Sequence, residues 1–205
     1  KDEVIKKRQE HMIPCMGLFY DNPLYITHAK GQYIYDEQEN KYLDMLGGFS
    51  VMAVGHTNEY ITSRMKAQLD KVVHSTQVFL NQPIVDLAER LNNLMPKELS
   101  KSFFLNSGSE ANEMAIMIAK HYNNKTGVIY LENSLHGRTH QTLAVTGMKM
   151  WHPFENFQLD TYVAKDYYPS DHLSFEEQMN ISLESIKQIL KENNNISCMI
   201  VEVVQ

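Results

Sequence analysis

At 205 residues, with 43% hydrophobic and 21% charged side chains, the chain has the composition of an ordinary globular protein of one large domain or two small ones. A net charge of -6 and scattered Lys and Arg exclude the basic stripe that nucleic acid or an anionic membrane surface selects. The longest apolar runs fall far short of the ~20 residues that cross a bilayer, and Cys15 and Cys198 stand too far apart for a disulfide framework or a four-thiolate zinc site.

In chain order, residues 1–24 are charged and then irregular, punctuated by Pro14, Gly17 and Pro23. Gln32-Tyr33-Ile34-Tyr35 and Lys41-Tyr42-Leu43-Asp44 flank a polar turn, which predicts a hairpin. Gly47-Gly48 and Val54-Gly55-His56 bracket a loop. Ile61, Met65, Leu69 and Val72 recur at helical spacing, and a second helix starts at Pro83 and runs through Leu87, Leu91 and Leu94. The rhythm then changes. Ser102-Phe103-Phe104-Leu105 reads as a buried strand, residues 109–122 as a helix and Val128-Ile129-Tyr130-Leu131 as a strand. Residues 174–192 form an amphipathic helix, and Cys198-Met199-Ile200-Val201 a last strand. Strands alternating with helices predict an α/β fold with a mostly parallel sheet and helices on both faces.

In such a sheet, ligands gather where strands end and helices begin. Asn106-Ser107-Gly108-Ser109 lies at such a point. Gly108 permits close backbone approach, the serines offer hydroxyls, and the helix start offers unpaired N–H groups that favour a phosphate. Ser107 and Glu110 also fit a capping box, so simple helix capping is the alternative reading of these serines. Neither a Gly-Lys-Ser/Thr phosphate loop nor G-x-G-x-x-G occurs, which argues against a nucleotide site.

Leu105-Asn106-Ser107-Gly108-Ser109-Glu110-Ala111-Asn112-Glu113 closely resembles the phosphate loop of class III aminotransferases, pyridoxal-phosphate enzymes of the aspartate-aminotransferase fold. Four more stretches are similar to that family in the same order. Gly31 to Asp44 resembles its opening G-x-Y-x-x-D-x-x-G-N-x-Y-x-D, with Glu39 where Gly is usual. Gly47-Gly48 with Val54-Gly55-His56 resembles a stretch beside the substrate pocket, His136-Gly137-Arg138-Thr139 its H-G-R loop, and Val201 to Gln205 its E-P-x-Q strand end. The opening and the residues around His74-Ser75-Thr76 look closest to the alanine–glyoxylate aminotransferase 2 branch. The resemblance implies that residues 1–57 contribute to the small domain and pocket edge, and that residues 58–205 form the first half of the large cofactor-binding domain.

It further implies that Ser107, Gly108 and Ser109 hold the phosphate of pyridoxal 5'-phosphate. Leu135 stands where the family places an aromatic ring against the pyridine, so apolar cover replaces π-stacking. His136 lines the cofactor pocket or is a hydrogen-bonded loop histidine; both readings stay open. Gly137 belongs to the same loop. Glu202, ending an apolar strand, needs a polar partner if buried, and Gln205 is its companion. Val203 replaces the family's Pro. Phe49 matches a substrate-facing position, and Leu80 one that reaches across a dimer interface; core packing is the alternative for both and the favoured one for Leu80. Gly55 and His56 are expected to shape their loop. His136 and His140 lack an acidic partner at metal spacing, so no metal is expected.

The cofactor's chemistry also needs a lysine amine and an acid on the pyridinium nitrogen, which the family places after E-P-x-Q. No lysine here sits in a matching context, so the catalytic residues are expected outside this sequence, which reads as the N-terminal half of an enzyme. The expected activity moves an amino group from alanine or an ω- or β-amino acid to a 2-oxo acid, in a homodimer with active sites at the interface. A phospho-lyase of the same family, a non-catalytic subunit and a generic phosphate-binding protein are the alternatives. Cysteine usage suits a reducing compartment, so the expected location is cytoplasmic, with the mitochondrion as alternative. The chain begins at Lys1 rather than Met, which leaves any targeting segment unread.

Overall fold

The computed structural model describes residues 1–14, 17–154, 159–167 and 172–204. The chain gathers into two compact units, residues 1–86 and 87–205; the boundary anticipated at residue 57 falls inside the first.

The first unit opens with helix α1 (Asp2–His11), in the charged stretch to which the sequence reading assigns no element. Three strands, β1 (Ile26–Lys30), β2 (Tyr33–Asp36) and β3 (Lys41–Leu43), form an antiparallel sheet in that order. The predicted hairpin is β2–β3, and β1 adds an edge that the sequence did not announce. Asp36 organises the turn. Its carboxylate accepts the Gln38 and Asn40 N–H groups, the Asn40 side-chain amide and the Tyr42 hydroxyl. These bonds hold its pKa down at about 2, the Asn40 side chain contributing most. Glu39 closes the turn at φ 63°, which explains why glycine is the usual residue there. The next segment, α2 (Gly47–Ser50), is hydrogen-bonded like a helical turn but is left-handed. Helix α3 (Glu59–Leu69) starts at Asn58, whose side chain accepts the Tyr60 and Ile61 N–H groups. Helix α4 (Gln82–Leu94) spans the division between the units.

The second unit is α/β. Helix α5 (Gly108–Asn123) leads into β4 (Gly127–Leu131); α6 (His140–Ala144) precedes β5 (Thr161–Ala164), and α7 (Phe175–Glu192) precedes β6 (Ile196–Ile200). The three strands are parallel in the order β5-β4-β6. Central β4 is buried on both faces, Val128 on one and Ile129 on the other, as expected of a strand covered on two sides. Ile116 of α5, Val128 and Val145 form the core, flanked by Tyr130, Cys198 and Ile200. Helix α7 starts with a reciprocal capping box between Ser174 and Glu177.

One prediction is corrected. Ser102 to Leu105 forms no strand, and Phe103 is 65% exposed. Apolar content marks this run as buriable, but a strand also needs a neighbouring strand, and none among the described residues pairs with it.

Candidate functional site

The site grows from the start of α5. Ser107 has extended backbone and its hydroxyl accepts the Glu110 N–H at 3.2 Å, a helix N-cap. The expected capping box is displaced by one residue, because the Glu110 carboxylate accepts from the Asn106 N–H at 2.8 Å instead of from Ser107. Among the described residues, the Gly108 and Ser109 N–H groups have no acceptor within the chain. A Cβ at Gly108 would meet nothing within 4 Å, so this helix end is open as well as electropositive.

Two hydrogen bonds fasten the loop after β4 to this helix end. The Arg138 N–H donates to the Ser109 hydroxyl at 3.1 Å, and the Asn112 side-chain amide donates to the His136 carbonyl at 2.8 Å. Gly137 lies between them at φ 144°, and a Cβ there would approach Ser109 Oγ to 2.5 Å and Thr142 Oγ1 to 2.7 Å. Thr139, the N-cap of α6, bonds to Thr142 and to the Glu113 carboxylate, adding a further tie to α5. On the other side, Glu202 accepts the Leu135 N–H at 2.8 Å. This bond joins the end of β6 to the end of β4 across 67 positions of sequence.

Leu135 thus sits between two anchors with its side chain 40% exposed. It lines a cavity of roughly 830 Å³ with Leu131, Met148, Tyr167 and Glu202, at the carboxyl ends of all three parallel strands. The neighbouring His136 is buried at 6% exposure, and its backbone N–H donates to the Thr146 hydroxyl. Its Nε2 is buried without a partner among the described residues. Burial pushes the imidazole pKa down, and attraction to Glu202 opposes that only in part, so the ring stays neutral near pH 7. Of the residues anticipated here, Ser107, Gly108, Ser109, Leu135, His136, Gly137 and Glu202 form one connected assembly. Gln205 lies outside the described residues. Asn112 and Thr146 were not anticipated; no local spacing reveals a bond that spans 24 residues.

The donor set suits a phosphomonoester at one end and a flat apolar ring at the other. Open helix N–H groups and hydroxyls at the start of α5 suit an anion, and Leu135 offers an apolar face to the cavity at the strand ends.

In the first unit, Phe49 occupies the left-handed turn α2 and is 72% exposed. Its ring lies 6.4 Å from that of Phe19, at 57°. His56 Nε2 and Asp44 Oδ2 are 2.7 Å apart, and the same carboxylate accepts the Leu46 and Gly47 N–H groups. Leu80 is fully exposed in this chain and lies in the irregular stretch before α4.

The family described as aminotransferase class-III matches residues 19–205. Among curated relatives, alanine–glyoxylate aminotransferase 2 homolog 2, mitochondrial, of Arabidopsis thaliana is 37% identical over 150 residues, covering 73% of this chain and 31% of the relative. Adenosylmethionine-8-amino-7-oxononanoate aminotransferase of Staphylococcus aureus is 34% identical over 202 residues, covering 90% and 44%. Among solved structures, an (S)-enantioselective omega-transaminase from Thermomicrobium roseum superposes with a TM-score of 0.87 at 24% identity, over 100% of this chain and 49% of that one. The chain spans less than half the length of each. No described helix is long and apolar enough to cross a membrane.

Proposed function

The chain belongs to the class III aminotransferases, and on that footing we propose that residues 1–205 are the N-terminal part of a pyridoxal-phosphate-dependent enzyme that moves an amino group from an amino acid to a 2-oxo acid. The observation that carries this reading is the open start of α5, tied through Ser109 and Asn112 to a loop whose far end is held by Glu202.

Each residue has a distinct task. The Gly108 and Ser109 N–H groups, with the Ser107 and Ser109 hydroxyls, bind the cofactor phosphate at the positive end of the helix dipole. Leu135 covers one face of the cofactor ring by apolar contact and excludes water there. Glu202 acts through the backbone, fixing Leu135 at the strand ends. Neutral His136 backs the pocket without adding charge. When bound, the cofactor supplies a carbonyl for the amine and an electron-withdrawing ring. The lysine it requires and the acid for its ring nitrogen belong to sequence outside these 205 residues. Phe49 faces the substrate, residues 1–57 join the small domain, and residues 58–205 begin the large one.

Alanine or an ω- or β-amino acid is the donor class, and a homodimer with active sites at its interface is the assembly. A reducing compartment, cytoplasmic or mitochondrial, suits the cysteine usage. The test is a donor screen of the full-length protein with pyruvate, glyoxylate and 2-oxoglutarate. Consumption of one oxo acid per donor supports amino transfer. Release of phosphate from a phosphorylated amine, with no acceptor consumed, would establish a lyase instead.

A further inference from the structure

The first unit contains a closed loop whose construction goes beyond what its glycines require. The Asp44 N–H donates to the Gln32 carbonyl at 2.9 Å, and His56 exchanges two backbone hydrogen bonds with Gly31, at 2.8 and 2.9 Å. Both ends of the segment 44–56 are therefore anchored to the same stretch beside β2. Gly55 permits this approach, since a Cβ there would lie 3.1 Å from the Gly31 backbone. Across the closure, His56 Nε2 meets Asp44 Oδ2 at 2.7 Å, with both side chains largely buried. The other Asp44 oxygen accepts the Leu46 and Gly47 N–H groups at 3.0 and 2.9 Å. One carboxylate thus closes the loop and starts the turn inside it.

That turn is strained. Gly47, Gly48, Phe49 and Ser50 have φ of 55°, 61°, 58° and 66°, four consecutive left-handed residues of which two carry a Cβ. Such a run persists only where its surroundings over-determine it. The Asp44 carboxyl is held below its usual range by its bond to His56 first and by the Gly47 N–H next, which agrees with its service to both ends. The product of this construction is an exposed Phe49 beside Phe19.

We propose that Asp44 and His56 are positioning residues: their part-buried contact clasps the loop 44–56 and holds the left-handed turn, so that Phe49 stands at a fixed place for the amino donor. This rests on the aminotransferase reading and on Phe49 facing substrate. Neither Asp44 nor His56 touches the reacting atoms. Losing the clasp releases the turn toward ordinary right-handed conformations and moves the Phe49 ring, which weakens donor binding more than it slows the chemistry.

The test uses the full-length protein with Asp44→Ala and His56→Ala, read by hydrogen exchange of residues 45–55, by pyridoxal-phosphate affinity, and by kinetics with alanine as donor. In both variants, exchange at residues 45–55 accelerates about tenfold or more, and donor KM rises about tenfold with kcat within roughly threefold. Cofactor affinity stays within about twofold. Asp44→Asn keeps an acceptor for the Leu46 and Gly47 N–H groups, so it restores most of their protection. If an alanine variant fails to fold, Asp44→Asn and His56→Gln carry the test, with His56→Gln giving the larger rise in KM. Unchanged exchange in the variants, or a fall in kcat with KM unmoved, overturns the clasp. A wild-type protein that transfers no amino group refutes the aminotransferase reading, and the exchange measurement still decides the clasp by itself.

Discussion

Replacing Gly137 with alanine strikes the joint between the phosphate-binding helix end and the loop that carries Leu135. The added Cβ would lie 2.5 Å from Ser109 Oγ, 2.7 Å from Thr142 Oγ1 and 2.9 Å from Ser109 Cα. Gly137 also has φ 144°, a conformation that costs a side-chain-bearing residue about 1–3 kcal/mol. Relief requires the loop to lift off α5, which breaks the Arg138 N–H bond to Ser109, a further ~0.5–1.5 kcal/mol. The combined cost of about 2–4 kcal/mol falls on the geometry in which the loop sits against the phosphate-binding helix end, so the displaced loop should bind the cofactor correspondingly more weakly. At 1.4 kcal/mol per decade, cofactor affinity should fall roughly 30- to 1,000-fold. The assay is a titration of the full-length variant with pyridoxal phosphate, followed by absorbance, with circular dichroism to confirm folding. Gly108→Ala is the contrasting control for stability, since its Cβ meets nothing within 4 Å and its melting temperature should match wild type. An affinity for Gly137→Ala within twofold of wild type would refute the claim that this loop and the phosphate site are one unit.

Leu135→Phe restores an aromatic face where the family has one; a stacking gain of about 0.5–1.5 kcal/mol predicts cofactor affinity about 2- to 12-fold tighter in the same titration. Glu39→Gly removes the left-handed strain at φ 63° and gives up only an exposed contact with His28 at 3.7 Å. Chemical denaturation should therefore show the protein about 0.5–1 kcal/mol more stable, after the entropy that glycine adds to the unfolded chain. Asp36 titrates at about 2 in the folded hairpin against 3.8 normally, so the unfolded chain binds its proton first as pH falls. Its contribution is fully present above about pH 4 and is lost between pH 4 and 2. Wild type should show that acid-dependent loss of hairpin signal by NMR, and Asp36→Asn should lack it.

Local chemistry was the legible part of this chain. Ser107-Gly108-Ser109 could be read as a helix start with open donors because capping and dipole effects act within one turn, and α5 begins at Gly108. Helices with a clear apolar stripe, such as α4 and α7, were placed within a residue or two for the same reason. Strands depend on partners. β1 has an unremarkable sequence, Ile26-Thr27-His28-Ala29-Lys30, and exists because β2 offers it an edge. Ser102 to Leu105 has the better strand composition and forms none. The contacts that assemble the site, Asn112 with His136 and Glu202 with Leu135, span 24 and 67 residues. Only the folded sheet brings these groups together, so resemblance could nominate Glu202 while its bond to the Leu135 N–H could not be foreseen. Asp44 and His56 present the same limit, since their pairing follows from the bridge between Gly31 and His56.

The two readings of Ser107, helix cap and phosphate ligand, separate in a single substitution. Aspartate caps a helix as well as serine does, and its charge favours the helix N-terminus, so Ser107→Asp should leave the melting temperature of the full-length protein unchanged or slightly raised. The same carboxylate repels a phosphate dianion at that position, and pyridoxal-phosphate affinity should drop about 100-fold or more. A variant that keeps both its stability and its cofactor affinity would show that the start of α5 is capped by Ser107 and that the phosphate binds elsewhere.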